Sequence, residues 1–589
     1  MLMRRYFILG LLNGRRFLLT ALFGLFCLVQ LANAQIRHKF DVRIPMRDGV
    51  KLSADVWMPQ EEGKYPAVLI RLPYLKTMRE AKFPDIGKLF ASQGYVFVVQ
   101  DCRGRGDSEG EFDFYFTDGK DGYDSIEWIA AQPWCDGKVG MMGLSYLGAV
   151  QWLAAREKPP HLVCITPTAP SGRYFDELPY NGGAWLMQWA LTWLNGVSAH
   201  LSQDNSGSVD WERVLKHRPL ISMDEAMGRH MRLYKEWLEH STIDDYWKRI
   251  LFTQEDFSKV DLPALHVTGW FDGDQPGALS FWDGMNEFSP GRDRQYLLIG
   301  PWTHGQTLFG GALKIGEMEF SSDSVIDRMA QQLAFFEHYL KGTAPEFDHP
   351  RVKVYLTGSN EWLELEDYPP PQVQNKPFYF HSGGKSNTLL GDGTLSRKMP
   401  EKEPVDKYIF DPKKPIQFGM EEEMNAVDNR LTEIRSDVLV YTSEELTEPV
   451  SILGRVFVHL YAASDALDTD FTAKLLDVYP DGRALNLGPN GLGIRRARYR
   501  NGYAKEELLT PNKPEKFTIE LFDIGHTFLP GHKIRVEISS SASPMFNPNQ
   551  NTGNPVATDT EWKTANQTIY HDSGRPSHVV LPVLPKSEK

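Results

Sequence analysis

Apolar and polar positions along the chain follow two patterns that meet near Pro350. Before it, continuous apolar runs alternate with segments of helical spacing. Phe40 to Met58 alternates apolar with polar residues around Asp48-Gly49, the signature of a hairpin. Ala67 to Leu72 (AVLIRL) and Tyr95 to Gln100 (YVFVVQ) are unbroken, as suits strands covered on both faces. His161 to Thr166, Pro263 to Thr268 and Tyr296 to Ile299 read the same way. Asp85 to Gln93 is a predicted helix. So is Asp118 to Gln132, with Tyr123, Ile126, Ile129 and Ala130 at helical spacing. Val139, Met141 and Met142 lead into Gly143-Leu144-Ser145-Tyr146-Leu147-Gly148, and Ala149 to Arg156 continues as helix. Strands that alternate with helices predict a parallel, doubly wound sheet, with ligands at the carboxyl ends of its strands.

The alternation stops between Asp176 and Phe257, a stretch that is helical in pattern and rich in tryptophan. It reads as a cap inserted into the α/β domain. Trp185, Trp189 and Trp193 recur every four residues, which places them on one helix face. Packing of the cap onto the body is the preferred role for them, and lining an apolar acyl pocket is the alternative. Ser322 to Lys341 is a last amphipathic helix. Beyond Pro350, short alternating runs such as Val352 to Leu356, Val456 to Ala462 and Lys533 to Ser539 are separated by Gly, Pro, Asn and Asp. That is the pattern of an all-β sandwich or jelly roll. The Pro-rich Tyr368 to Pro377 is a connector within it or leading into it.

Length and charge narrow the picture. A chain of 589 residues exceeds what one core supports. A net charge of -13 argues against a nucleic-acid surface and gives no reason to expect anionic lipid as a partner. Residues 1–34 read as a secretory signal: Arg4, Arg5, Arg15 and Arg16, then apolar Phe17 to Leu31, then Ala32-Asn33-Ala34 as cleavage site. The expected location is periplasmic or secreted, with no stable membrane span once the signal is removed. The mature chain keeps Cys102, Cys135 and Cys164, at spacings that suit neither a disulfide framework nor a metal site; buried free thiols are expected. No metal or organic cofactor is expected. The oligomeric state stays open, a homo-oligomer included.

The chemistry centres on Ser145. Apolar strand, sharp turn, serine and helix make the shape of a nucleophile elbow, whose crowded turn needs small neighbours. Gly143 is one. The second glycine falls at Gly148, with Leu147 in the usual place. A serine hydroxyl needs a base, and the base needs an orienting acid. Asp272 and His304 each follow an apolar strand directly, in Gly269-Trp270-Phe271-Asp272-Gly273 and Gly300-Pro301-Trp302-Thr303-His304-Gly305. Asp274 competes for the acid role, but Asp272 is nearer the strand end. His266 lies mid-strand and reads as a packed core residue. The elbow supplies one oxyanion donor, the amide of Tyr146; Tyr74, after the strand Ala67 to Leu72, is a candidate for the other. The expected fold is therefore α/β. It comprises an α/β-hydrolase domain (35–175 and 258–349), an inserted helical cap (176–257) and an all-β jelly-roll domain (350–589).

Several motifs together resemble one family. They are Arg71-Leu72-Pro73-Tyr74, Gln100-Asp101-Cys102-Arg103-Gly104-Arg105-Gly106-Asp107-Ser108-Glu109-Gly110, Gln132 to Gly140, Gly143 to Gly148, Gly269 to Asp272 and Gly300 to His304. The chain resembles the serine hydrolases that include cocaine esterase, α-amino-acid ester hydrolase, glutaryl-cephalosporin acylase and X-Pro dipeptidyl-peptidase. In that family the elbow itself reads Ser-Tyr-x-Gly. The resemblance implies Ser145 as nucleophile, Asp272 as acid, His304 as base, and Tyr74 with the Tyr146 amide as oxyanion hole. It also implies a small-molecule ester or amide substrate. α-Amino-acid ester hydrolases carry a carboxylate cluster for the substrate ammonium. Here Asp274 matches one member, Gln275 stands where another acid is carried, and Asp176 or Glu177 could supply the third; a solvated helix N-terminus is the competing reading of Asp176 and Glu177. Trp185 and Trp189 are the remaining candidates for substrate contact. The rival activities are an X-Pro aminopeptidase and, in another class, a glycan or cell-wall binder with an idle hydrolase domain.

Overall fold

The computed structural model describes residues 36–201, 206–417, 425–489 and 492–585. The predicted secretory signal, residues 1–34, lies outside them. Strands β1 (Ile36–Pro45) and β2 (Lys51–Pro59) form the predicted hairpin, and β2 lies antiparallel to β4 (Val96–Asp101). From β4 onward the sheet is parallel through β3 (Tyr65–Leu72), β5 (Cys135–Leu144) and β6 (Leu162–Thr168). The cap opens with a two-stranded hairpin, β7 (Tyr180–Asn181) and β8 (Ala184–Trp185). The parallel sheet then resumes with β9 (Ala264–Phe271) and β10 (Gln295–Thr303).

Both faces of this sheet are buried, which explains the unbroken apolar runs. In β3, Val68, Ile70 and Leu72 enter one core while Ala67 and Leu69 enter the other. In β4, Phe97 and Val99 face the first core and Val96 and Val98 the second. Trp152 on the elbow helix (Tyr146–Arg156) stacks on Phe281 of the helix Gln275–Phe288, with centroids 4.8 Å apart, and closes the second core. His266 is a packed core residue: its Nε2 meets Gln295 Oε1 at 3.0 Å, and burial pushes its pKa down to about 4. Cys102, Cys135 and Cys164 are buried and unbridged.

Three boundaries differ from the sequence pattern. Val352–Leu356 pairs in parallel with β10, and Glu361–Leu365 closes the edge, so the α/β sheet extends beyond 350 and has ten strands among the described residues. Val352–Leu356 is an almost wholly buried interior strand, but a run of only five residues (VKVYL) fits a jelly-roll strand as well, so pattern could not separate them. The all-β domain proper starts at Gln374–His381, after the Pro-rich connector. The helix expected from Ser322 is a short turn at Ser322–Ser324, then Arg328–Phe336 capped by Asp327, then a wide turn at Glu337–Lys341. Finally, Trp185 lies in β8, ahead of the helix Met187–Val197, so the three tryptophans do not share a helix face.

Among the described residues the C-terminal domain has thirteen hydrogen-bonded strands, mostly antiparallel, built around the long pair Val450–Ser464 and Glu515–Phe528. It is docked on the carboxyl end of β9. The Gln275 side chain donates to Asp523 O at 3.0 Å, and its Oε1 accepts from Asp523 N at 2.8 Å. Gly525 faces Trp270, where an added Cβ would lie 2.4 Å from the indole ring.

Candidate active site

The elbow is built as the sequence pattern implies. Ser145 has φ 65° and ψ -125°, a left-handed backbone that non-glycine residues rarely adopt and that costs on the order of 1–3 kcal/mol. Its neighbours are small because the turn is crowded. A Cβ on Gly143 would lie 2.4 Å from the Leu147 side chain, and one on Gly148 would lie 2.9 Å from Thr168 O. The late glycine thus lets the first helical turn press against the end of β6. Ser145 N donates to that same Thr168 O at 2.9 Å.

Asp272 and His304 leave the carboxyl ends of adjacent strands β9 and β10. His304 Nδ1 meets Asp272 Oδ1 at 2.7 Å, whereas Asp274 Oδ2 is 3.9 Å away. Asp272 is fully buried and also accepts from Thr268 Oγ1 at 2.7 Å and Asp274 N at 3.0 Å. Every acceptor position needed to hold the imidazole is therefore fixed. Burial alone would lower the His304 pKa, but Asp272 and then Asp274 outweigh it and raise it to about 9.

Ser145, Tyr74, Tyr146, Glu177, Asp274, Trp189, Trp193 and His304 line one cavity of about 260 Å³. Tyr74 is half-buried, and its desolvation pushes the hydroxyl up to about 12. Tyr146 opens the elbow helix, which makes its amide the first of the helix N-terminus. Its side chain is held from behind: the hydroxyl donates to Asp118 Oδ2 at 2.5 Å, and Asp118 Oδ1 lies 3.0 Å from Arg71 Nη2.

Known proteins place this arrangement. Residues 48–306 match the model of the X-Pro dipeptidyl-peptidase (S15) family, and residues 345–580 match that of the X-Pro dipeptidyl-peptidase C-terminal non-catalytic domain. Cocaine esterase from Rhodococcus sp. (strain MB1 Bresler) is 33% identical, over 92% of this chain and 98% of its own. The chain is a serine hydrolase of the S15/CocE family. Two solved structures superpose over most of their length. An aminopeptidase from a marine-sediment Thaumarchaeota archaeon has a TM-score of 0.82 at 26% identity, covering 94% of this chain and 96% of its own. An α-amino acid ester hydrolase has a TM-score of 0.81 at 28% identity, covering 93% and 97%.

Not every residue singled out in this S15/CocE hydrolase reaches the cavity. Glu177 and Asp274 do. Glu177 is buried rather than solvated at a helix end; it accepts from Gly172 N, Arg173 N and Gly277 N at 2.9, 2.8 and 3.1 Å. Burial, and then Asp274, hold its carboxyl well above the usual range. Burial also raises Asp274, to about 7. Asp176, by contrast, points away. It pairs with Arg173 at 2.5 Å and accepts from the Tyr503 hydroxyl, outside the lining. Gln275 is spent on the Asp523 backbone. Trp189 and Trp193 line the cavity and stack with centroids 5.4 Å apart. Trp185 is fully buried edge-on to Tyr180 and Tyr234, because it lies on β8 and not on the helix.

Other contributors carried no sequence signal of their own. Phe114 and Tyr115 come from the loop after β4. Pro489, Phe522 and Met545 come from the C-terminal domain, hundreds of residues from the elbow. Arg105 sits inside a motif quoted above, but only its fold partners reveal its task.

Proposed function

We propose that this hydrolase cleaves esters or amides of small acyl groups through an acyl-enzyme. Ser145 attacks the carbonyl carbon. His304 takes the serine proton at Nε2 and returns it to the leaving group, while Asp272 holds the imidazole in the required tautomer. The oxyanion is received by the Tyr146 amide and the Tyr74 hydroxyl. The observation that carries this is the 2.7 Å His304–Asp272 bond opening into the cavity that Ser145 lines on its strained turn. We propose further that acyl groups with an α-ammonium are preferred. Glu177 is buried and Asp274 half-buried; among the described residues that line the cavity their one cationic neighbour is His304, and a bound ammonium would offset their desolvation. The relatives described as an α-amino acid ester hydrolase and an aminopeptidase support this reading. So does the S15 family description, which keeps a dipeptidyl-peptidase activity as the second reading, since a peptide N-terminus presents the same cation. The basic and apolar stretch at 1–34 supports export to the periplasm or beyond.

The primary test is labelling with a fluorophosphonate together with turnover of a 4-nitrophenyl α-amino ester and an X-Pro anilide. Wild type is expected to be labelled and to turn over the ester, and Ser145→Ala is expected to lose both. An unchanged Ser145→Ala would exclude the mechanism.

The pH profile gives a second prediction. Only neutral His304 is a base, so kcat/KM should rise with pH towards the raised pKa of about 9. Asp274→Asn removes one of the three carboxylates, Asp272, Asp274 and Glu177, that raise it. The acid limb should then move down by about one pH unit or more. Affinity for an α-amino ester should fall about ten-fold relative to its des-amino analogue. Identical pH profiles for the two proteins would contradict the prediction.

A further inference from the structure

We propose that Trp193 is a positioning residue of the oxyanion site: its indole N–H sets the direction in which Tyr74 donates its proton. The proposal rests on the reading of Tyr74 as an oxyanion donor. Trp193 Nε1 donates to the Tyr74 hydroxyl oxygen at 3.0 Å. A phenol has one proton and accepts on the other side of its oxygen. With that side taken by the indole, the proton is turned to the opposite side of the oxygen, into the cavity that Tyr74 and Ser145 both line. When attack builds charge on the carbonyl oxygen, the same proton is already on that side, and little reorganisation is needed to meet it.

The indole is itself held. Its ring lies nearly parallel to Trp189 at 5.4 Å, to Tyr146 at 6.0 Å and to Trp237 at 6.2 Å, with Phe114 edge-on at 5.4 Å. Trp193 belongs to the cap helix Met187–Val197, and that helix is fastened to the Tyr74 loop a second time. Arg105, fully buried, donates from Nε to Pro73 O at 2.6 Å. Its Nη1 and Nη2 donate to Val197 O and Gly196 O at 2.9 and 3.0 Å. Those carbonyls end the helix, where the macrodipole favours a cation. One guanidinium thus spans the residue before Tyr74 and the turn after Trp193. The Tyr74–Trp193 hydrogen bond is the second rung of that ladder. By this geometry the cap does more than cover the cavity: it aims one of the two oxyanion donors.

The test is a double-mutant cycle read on kcat and KM for a small-acyl 4-nitrophenyl ester. Trp193→Phe keeps an aromatic ring and removes the N–H. Its kcat should fall by about 10- to 100-fold, with KM moving less than about three-fold. In a Tyr74→Phe background the same change should cost less than about two-fold in kcat, because there is no hydroxyl left to aim. Equal losses in both backgrounds would overturn the proposal, since the indole would then act on the acyl group directly. A silent Tyr74→Phe would overturn it by a different route, by removing the oxyanion reading itself, and the two failures are told apart by whether Tyr74→Phe alone is silent. Replacement of the indole by benzothiophene, which keeps the ring stack and puts sulfur at the N–H position, guards against misfolding of the phenylalanine variant. It should reproduce the loss, and full activity in that protein would refute the role.

Discussion

Asp272→Asn is expected to lower kcat by about 10³- to 10⁴-fold while leaving the fold in place. The carboxylate is fully buried and accepts from His304 Nδ1, Asp274 N and Thr268 Oγ1. An amide cannot match that demand in either orientation. With its oxygen towards His304, the tautomer survives, but the charge that stabilises the imidazolium is gone. With its nitrogen towards His304, Nδ1 must accept, and the proton moves to Nε2, where the base should be free. Because Asp272 is the foremost group raising the His304 pKa, the acid limb of the remaining activity should also shift to lower pH. Steady-state kinetics across pH, beside a thermal melt to verify folding, check both points. A kcat within ten-fold of wild type would rule out Asp272 as the orienting acid.

The second large effect lies behind the elbow. Asp118→Ala would leave Arg71 buried without a carboxylate, and would remove the acceptor of the Tyr146 hydroxyl. Breaking one side of such a pair costs about 3–5 kcal/mol, more than the pair's own net contribution, because the surviving charge stays desolvated. For a domain of this size that corresponds to a fall in melting temperature on the order of 10 °C. Adding Arg71→Met should recover much of the loss, since the orphaned charge is then gone. A drop of under about 2 °C in the single variant would show that Arg71 finds another partner. Activity should fall as well, as Tyr146 carries both the elbow's first amide and a ring packed at 6.0 Å from Trp193.

Much of this protein was legible from residue order. The parallel sheet announced itself because strands buried on both faces cannot alternate, as β3 and β4 illustrate with their residues divided between two cores. Asp272 and His304 were legible because each follows such a strand without a gap. What escaped did so for physical reasons. Periodicity assigns a residue to a face only after the element is known, and Trp185 fell one strand short of the helix that carries Trp189. The interior strand Val352–Leu356 was read as part of the β domain because a five-residue run of mostly apolar residues looks alike in both settings. Asp176 and Glu177 are neighbours in sequence, yet one binds Arg173 outside the cavity and the other collects three backbone amides inside it; nothing in adjacency separates them. Arg105 could not be read at all, since its partners are backbone carbonyls of Pro73, Gly196 and Val197, which any sequence offers.

The seat of Gln275 has one more consequence. By gripping Asp523 on both its N–H and its carbonyl, this side chain fixes the neighbouring Phe522 in the wall of the reaction chamber, and Met545 joins it from the same domain. The C-terminal domain is therefore a wall of the cavity, fused to the catalytic half through one core that joins Trp270, Leu279 and Trp282 to Ile519 and Ile524. Substitutions at Phe522 or Met545 would reshape that cavity while leaving Ser145, Asp272 and His304 untouched, which gives evolution, or an engineer, a way to retune selectivity from outside the catalytic domain.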